Sequence, residues 1–266
     1  MAAAHNPFHW RGTVTDPESF IGRDRQLNTI MTRLRQLGCV SVVGERRIGK
    51  SSLAYQACRQ APKQVGPDCK AVYVDMLSAK HHTLEGLLSA ILTGLGAETS
   101  GIAGLAAFEE AIRGVRKRGS RPVAFLDEFE ALGSRVEQFG DSLLESWRSL
   151  GNDGQMAFVA TSAHPMDEIT RQSGLTSSFY NIFAEMRLEE FTEQEAAAFA
   201  QRAMRVGRLE VGDDVFIRRV GGQHPLRLQI AAWHVFDARQ SGQVDFGLIE
   251  QRAQAEAAGM IGRGEG

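Results

Sequence analysis

Residues 44–51 read Gly-Glu-Arg-Arg-Ile-Gly-Lys-Ser, a match to G-x-x-x-x-G-K-[ST], and this octet constrains the fold of the 266-residue chain more than any other stretch. The motif has meaning only between a strand and a helix. Both flanks comply: Cys39–Val43 is a short β-rich run, and Ser51–Gln60 reads as helix. In that setting the loop wraps so that main-chain N–H groups face phosphate oxygens, and the following helix adds its positive end. Gly44, Glu45, Arg46, Arg47, Ile48 and Gly49 supply the cradle, continuing through Ser51 and Ser52. Lys50 is expected to reach the β- and γ-phosphates, and the Ser51 hydroxyl to face magnesium.

The same alternation continues along the chain. Strands are expected at Ala71–Asp75, Val123–Asp127, Ala157–Thr161 and Ala184–Leu188, with helices at Arg23–Leu37, Thr83–Leu95 and Phe139–Leu150. Nearly continuous apolar strands separated by helices specify a parallel sheet covered on both faces. After Glu189 the strands stop, and Thr192–Val206, Asp213–Val220, Pro225–Gln240 and Asp245–Ala258 read as helices. The expected fold class is α/β: a P-loop NTPase core with a five-stranded parallel sheet, plus a C-terminal helical lid domain. The expected boundaries are an N-terminal arm at 1–20, which must lie on something to be ordered, a core at 21–188, a lid at 189–258 and a fraying tail at 259–266.

The core carries a second polar feature. Val123-Ala124-Phe125-Leu126 runs directly into Asp127 and Glu128. Asp127 is placed to hold magnesium through its water shell, because this ion keeps waters and takes few direct carboxylates. Glu128 is placed to polarise a water for attack on the γ-phosphate. Thr161 and Ser162 end the next strand, where ligands of parallel sheets gather, and either can bond the attacking water or the γ-phosphate. A helix cap or turn explains these two residues as well.

Composition excludes several classes. A net charge of -2 gives no global attraction to nucleic acid, and three cysteines without pairing or histidine spacing argue against disulfides and structural zinc. No apolar run is long enough for a membrane span and no leader pattern is present, so a cytoplasmic protein with no membrane association is expected. His81 and His82 precede a helix and are expected at the surface, while Trp147 and Trp233 are expected to be packing residues.

Several motifs in order resemble a known family: Asn6-Pro7-Phe8, Phe20-Ile21-Gly22-Arg23, the GERRIGKSS loop, FLDEFE, the FVATS strand, and Gly221-Gly222-Gln223-His224-Pro225-Leu226. The chain is similar to STAND-type and archaeal-type AAA-like ATPases of the additional-strand, catalytic-glutamate class. That resemblance implies that Ile21, Gly22 and Arg23 line the base pocket, that Pro225 touches the base or ribose, and that Arg227 senses a phosphate. It implies ATP/ADP and magnesium as ligands. Where the family often carries an arginine after the fourth strand, this sequence has Ala163 and His164; Arg46, Arg47 and Arg135 are the candidates for an arginine acting in trans.

The expected function is a slowly hydrolysing ATP switch. Family members usually carry fused sensors or effectors, so a separate sensor or effector protein is the expected partner, with nucleotide-dependent homo-oligomerisation a further expectation. The alternatives are an oligomeric remodeller of DNA or protein, and a nucleotide-dependent binding module with little hydrolysis. A small-molecule kinase is disfavoured by the lack of an arginine-rich phosphate lid.

Overall fold

The computed structural model describes residues 5–98 and 104–261. These residues form two compact units: one of Arg25–Gly44 and Leu53–Arg187, the other of the described residues of Met1–Asp24, Glu45–Ser52 and Leu188–Gly266.

The first unit is built on β1 (Cys39–Val43), β2 (Cys69–Asp75), β3 (Arg121–Asp127), β4 (Ala157–Ser162) and β5 (Phe183–Arg187), in the order β2-β3-β4-β1-β5. Every pairing is parallel. This is the expected α/β P-loop NTPase fold. All residues of β1 and β4 are buried, as strands covered on both faces must be. Because the strands are parallel, β1, β3 and β4 end on one edge of the sheet, with β4 inserted between the other two.

The helices of this unit follow the expected pattern with two additions. α1 (Asp24–Leu34), α2 (Lys50–Gln64), α3 (Leu84–Gly94) and α5 (Asp141–Asn152) fall where apolar spacing puts them. α4 (Gly104–Lys117) and the short α6 (Met166–Gln172) were not anticipated. In α4 the buried Phe108, Ile112 and Val115 do recur at helical spacing, but alanines and glycines dilute the stripe. An aromatic cluster centres the core: Trp147 is fully buried, with ring centroids 5.3 Å from Phe158 and 5.8 Å from Phe179. Trp147 is thus a packing residue, as expected. The three cysteines are free and buried.

His81 corrects the sequence reading. It is buried, and its Nδ1 lies 2.6 Å from the carbonyl oxygen of Asp75. β2 runs straight into a tight turn in which the Asp75 carbonyl also accepts the Ser78 amide at 3.1 Å and the His81 amide donates to the Ser78 carbonyl at 2.8 Å, so the turn folds the ring inward. His82 is half-buried, with Nε2 3.0 Å from the Leu77 carbonyl.

The second unit is helical: α7 (Glu193–Gly207), α8 (Asp213–Gly221), α9 (Pro225–Ser241) and α10 (Phe246–Ile261). Thr192 and Glu195 form a reciprocal capping box that starts α7. Fully buried Asp213 takes a bidentate pair from Arg239, at 3.0 and 2.8 Å, tying α8 to α9. The N-terminal arm lies on α9, where Asn6 donates to the Trp233 carbonyl at 3.1 Å and to Asp237 at 2.9 Å. Trp10 meets Trp233 edge-on at 6.5 Å, so Trp233 also packs. α10 runs on to Ile261, and residues 262–266 of the expected tail lie outside the described residues. No helix among the described residues is long and apolar enough to cross a membrane.

Candidate functional site

The loop between β1 and α2 adopts the wrapped form that a phosphate cradle needs. Arg47 and Gly49 both take the left-handed region, at φ +68° and +102°. At Gly49 a side chain would meet no neighbour, so the backbone conformation alone calls for glycine there. For Arg47 the same conformation costs about 1–2 kcal/mol. Ile48 and Lys50 are buried, whereas Glu45, Arg46 and Arg47 are exposed. The Lys50 ammonium donates to the Glu45 carbonyl at 2.9 Å, closing the loop on itself. Ser51 is half-buried, and the Ser52 hydroxyl accepts the Val14 amide at 2.9 Å.

In the same helical unit Arg23 is clamped onto this loop. Only 3% exposed, its guanidinium donates to the carbonyls of Ile48 at 3.1 Å and Glu189 at 2.7 Å, and lies 4.5 Å over the Phe191 ring. Burial lowers its pKa to about 10. Gly22, at φ +79°, leaves room for the same ring: a Cβ there would sit 3.0 Å from Phe191. The Phe191 amide in turn donates to the Gln223 carbonyl at 2.9 Å. Phe191 therefore joins Gly22 and Arg23 to the Gly-Gly-x-x-Pro-Leu element. Ile21 is half-buried beside them in sequence.

His224 caps α9, its Nδ1 accepting the Leu226 amide at 3.2 Å, and Pro225 opens the helix where its missing N–H is harmless. Burial pushes the His224 pKa down; Glu190 opposes this and Arg227 adds to it. Arg227 is exposed on α9.

In the sheet unit the polar residues collect at the C-terminal edge. Gly44 donates its amide to the Ser162 carbonyl at 3.2 Å, which anchors the first residue of the loop to the end of β4. Asp127, 4% exposed, is bracketed by two hydroxyls. Thr161 donates to its Oδ1, and the Tyr73 phenol donates to its Oδ2 at 2.5 Å. Thr161 also accepts the Glu128 amide at 3.2 Å. Glu128 follows in the left-handed conformation, φ 56° and ψ 55°, which turns the chain sharply after the strand.

Thr161 and Ser162 thus part company. Successive strand residues face opposite ways: Thr161 bonds the acidic pair, while the Ser162 hydroxyl donates to the His164 carbonyl at 2.6 Å. Arg135 donates to the Ala131 carbonyl at 3.0 Å within its own turn.

Two residues at this edge escaped the sequence reading. Tyr73, on β2, is held protonated by burial and by the Asp127 charge, which push its phenol far above the usual range. Glu130 accepts the Ala163 amide with one carboxylate oxygen and buries the other. Tyr73 carries no local signature, and Glu130, though inside the FLDEFE stretch, none for this bond; the alignment of β2, β3 and β4 brings them in.

A family model described as an AAA domain matches residues 33–167, just over half of the chain. The chain belongs to the AAA domain family. No curated protein matches this AAA domain significantly. Among solved structures it is similar to the Walker-type ATPase of Pyrococcus abyssi, at 17% identity and a TM-score of 0.72, over 94% of this chain and 76% of that one. It is also similar to the Aeropyrum pernix ORC2 protein in its ADPNP and ADP complexes, at 15% identity and 0.68, over 96% and 73%. Domain III of the Thermotoga maritima replication initiation protein DnaA matches at 16% identity and 0.61, over 89% and 96%. At these identities the likeness to the solved structures is one of fold.

Proposed function

We propose that this AAA domain binds ATP with magnesium, hydrolyses it slowly, and uses nucleotide state to set the orientation of core and helical lid, and through it the binding of a separate sensor or effector, or self-assembly. The observation that carries the reading is the loop itself, with Arg47 and Gly49 left-handed between a buried strand and a helix that begins at Lys50. In this reading the amides of residues 44–51 take the phosphates, Lys50 takes the β- and γ-oxygens, and Glu128 acts on the attacking water. Ile21, Gly22, Pro225 and Arg227 are assigned to the base, ribose and γ-phosphate side of the same ligand, and of the expected pair Thr161 or Ser162 it is Thr161, on the face of the acidic pair, that is assigned to the γ-phosphate end.

The residues fit magnesium by the chemistry of their donors. Ser51 and Asp127 each offer a hard oxygen, the donor type magnesium takes while it keeps several waters and phosphate oxygens as its other ligands. When bound, it would neutralise charge on the β- and γ-phosphates.

The switch is energetically reachable. Moving a conformer ratio from 1:99 to 99:1 takes about 5.5 kcal/mol of differential affinity. Charged hydrogen bonds contribute roughly 1.5–3 kcal/mol each, so two or three contacts made only to the γ-phosphate suffice. The decisive experiment compares the proteins captured by the Glu128→Gln variant, loaded with ATP, against those captured by wild type with ADP. A partner or a self-assembled species specific to the ATP-loaded form supports the switch, and identical captures and identical light scattering contradict it.

A second reading, an oligomeric remodeller acting on DNA, draws on the fold likeness to a domain of a replication initiation protein. A duplex shift that weakens steeply with salt, together with ATP-dependent growth in light scattering, would favour it.

A further inference from the structure

The Asp127 carboxylate at the end of β3 is not free to turn. We propose that Tyr73 is a positioning residue, whose phenol fixes the plane of the Asp127 carboxylate for the magnesium of a bound nucleotide. The proposal rests on the ATP–magnesium reading above and deepens it by naming what holds the metal-facing carboxylate still.

The terminal torsion of an aspartate is broad and only two-fold restrained, so a carboxylate at a strand end swings unless something grips both oxygens. Here two neighbouring strands each supply one grip. β4 brings the Thr161 hydroxyl to Oδ1, and β2 brings the Tyr73 phenol to Oδ2 at 2.5 Å, within the short range of hydrogen bonds to an ionised acceptor. Each carboxylate oxygen has room for about two donors. Among the described residues one place on each is used, which leaves one on each for the water shell of an ion that prefers outer-sphere carboxylates.

The phenol is held in its turn. Tyr73 stands on β2 in the register Tyr73 to Phe125 and Asp75 to Asp127, two residues short of the strand end, so its long side chain reaches along the sheet to the carboxylate. Its ring meets Tyr55 edge-on, with centroids 5.4 Å apart and planes at 79°. Tyr55 lies on α2, the helix that begins at Lys50. The ring is therefore fixed by the helix that follows the phosphate loop, and its hydroxyl by the carboxylate on β3. Removing the hydroxyl alone releases one side of Asp127 and keeps the ring contact.

The test uses the whole chain with wild type, Tyr73→Phe and Tyr73→Leu, and a fluorescent ATP analogue titrated once with magnesium and once with EDTA. Melting temperature is recorded for each variant. Spectra of the manganese–ATP complex report the metal environment directly. For Tyr73→Phe the expected result is EDTA-state affinity and melting temperature close to wild type, a gain in affinity from magnesium reduced about five- to tenfold, and an altered manganese spectrum. Tyr73→Leu, which also loses the ring contact, is expected to lower the melting temperature as well. A magnesium gain in Tyr73→Phe equal to that of wild type overturns the proposal and leaves the ATP reading standing. Equal losses with magnesium and with EDTA, at a lowered melting temperature, assign Tyr73 to packing and overturn it too. Wild type that binds no nucleotide in either condition removes the ATP reading and this proposal together.

Discussion

The guanidinium of Arg23 donates to the main-chain carbonyl of Ile48 at 3.1 Å, so a side chain ahead of the first helix grips the phosphate loop one residue before Gly49. The same guanidinium holds the Glu189 carbonyl and covers the Phe191 ring. Family resemblance assigns Arg23 to the base pocket. Its own bonds give it a further task, fixing loop shape before any ligand arrives.

Arg23→Ala should therefore act on stability first. Two hydrogen bonds from a charged donor at about 1.5–3 kcal/mol each, less than additive, and a stacked ring point to a loss of about 2–4 kcal/mol. Urea denaturation measures it. Arg23→Lys is expected to recover only part of the loss: both carbonyls are held by one nitrogen, Nη2, which an ammonium can replace, but the planar guanidinium over the Phe191 ring is lost.

Thr161→Val tests the bracket around Asp127 from the other side. The valine keeps the shape of a side chain that is only 1% exposed, but removes the hydroxyl that donates to Asp127 and accepts the Glu128 amide. Losing these bonds, one of them to a charged group, should cost about 1–3 kcal/mol, and turnover should fall at least about tenfold as the acidic pair loses its register. Thr161→Ser should restore both, which denaturation and phosphate-release assays on the two variants would show.

Glu128→Gln should separate binding from chemistry. The amide is neutral and cannot take a proton from water, and loss of a positioned base typically costs about 10²–10⁴ in rate. ATP should still bind, and rapid filtration should find it retained rather than ADP. Undiminished phosphate release would remove Glu128 from that role.

His224 sets a pH dependence with a definite sign. Burial lowers its pKa below the ordinary 6.5, and protonation also removes the Nδ1 lone pair that caps the Leu226 amide. The folded chain therefore binds this proton less readily than the unfolded chain. Its contribution is complete above pH 6.5 and is lost as pH falls through the lowered folded value. Melting temperatures between pH 8 and 5 should drop more steeply for wild type than for His224→Asn, which keeps a capping acceptor without a titrating ring.

What could be read in advance, and what could not, divides by range along the chain. The phosphate loop, Asp127 and Glu128 are each announced within a few residues by a buried strand running into polar groups, and periodicity carried all five strands. α4 went unread because Ala106, Ala107, Ala111 and Gly114 blur its buried face of Phe108, Ile112 and Val115. Tyr73 could not be read at all: its role depends on β2 lying beside β3, 54 residues away in sequence from Asp127. His81 failed for a similar reason, since an adjacent pair of histidines before a helix looks exposed until the turn after β2 closes over one of them.

The central claim is that residues 44–51 wrap a polyphosphate, and equilibrium binding of ATP to wild type and to Lys50→Ala tests it most directly. Wild type should bind ATP in the presence of magnesium, and Lys50→Ala, which deletes the one ammonium expected at the β- and γ-phosphates, should bind at least about 100-fold more weakly, the equivalent of one to two charged hydrogen bonds. Equal affinity in the two proteins, with both folded by circular dichroism, would contradict the account.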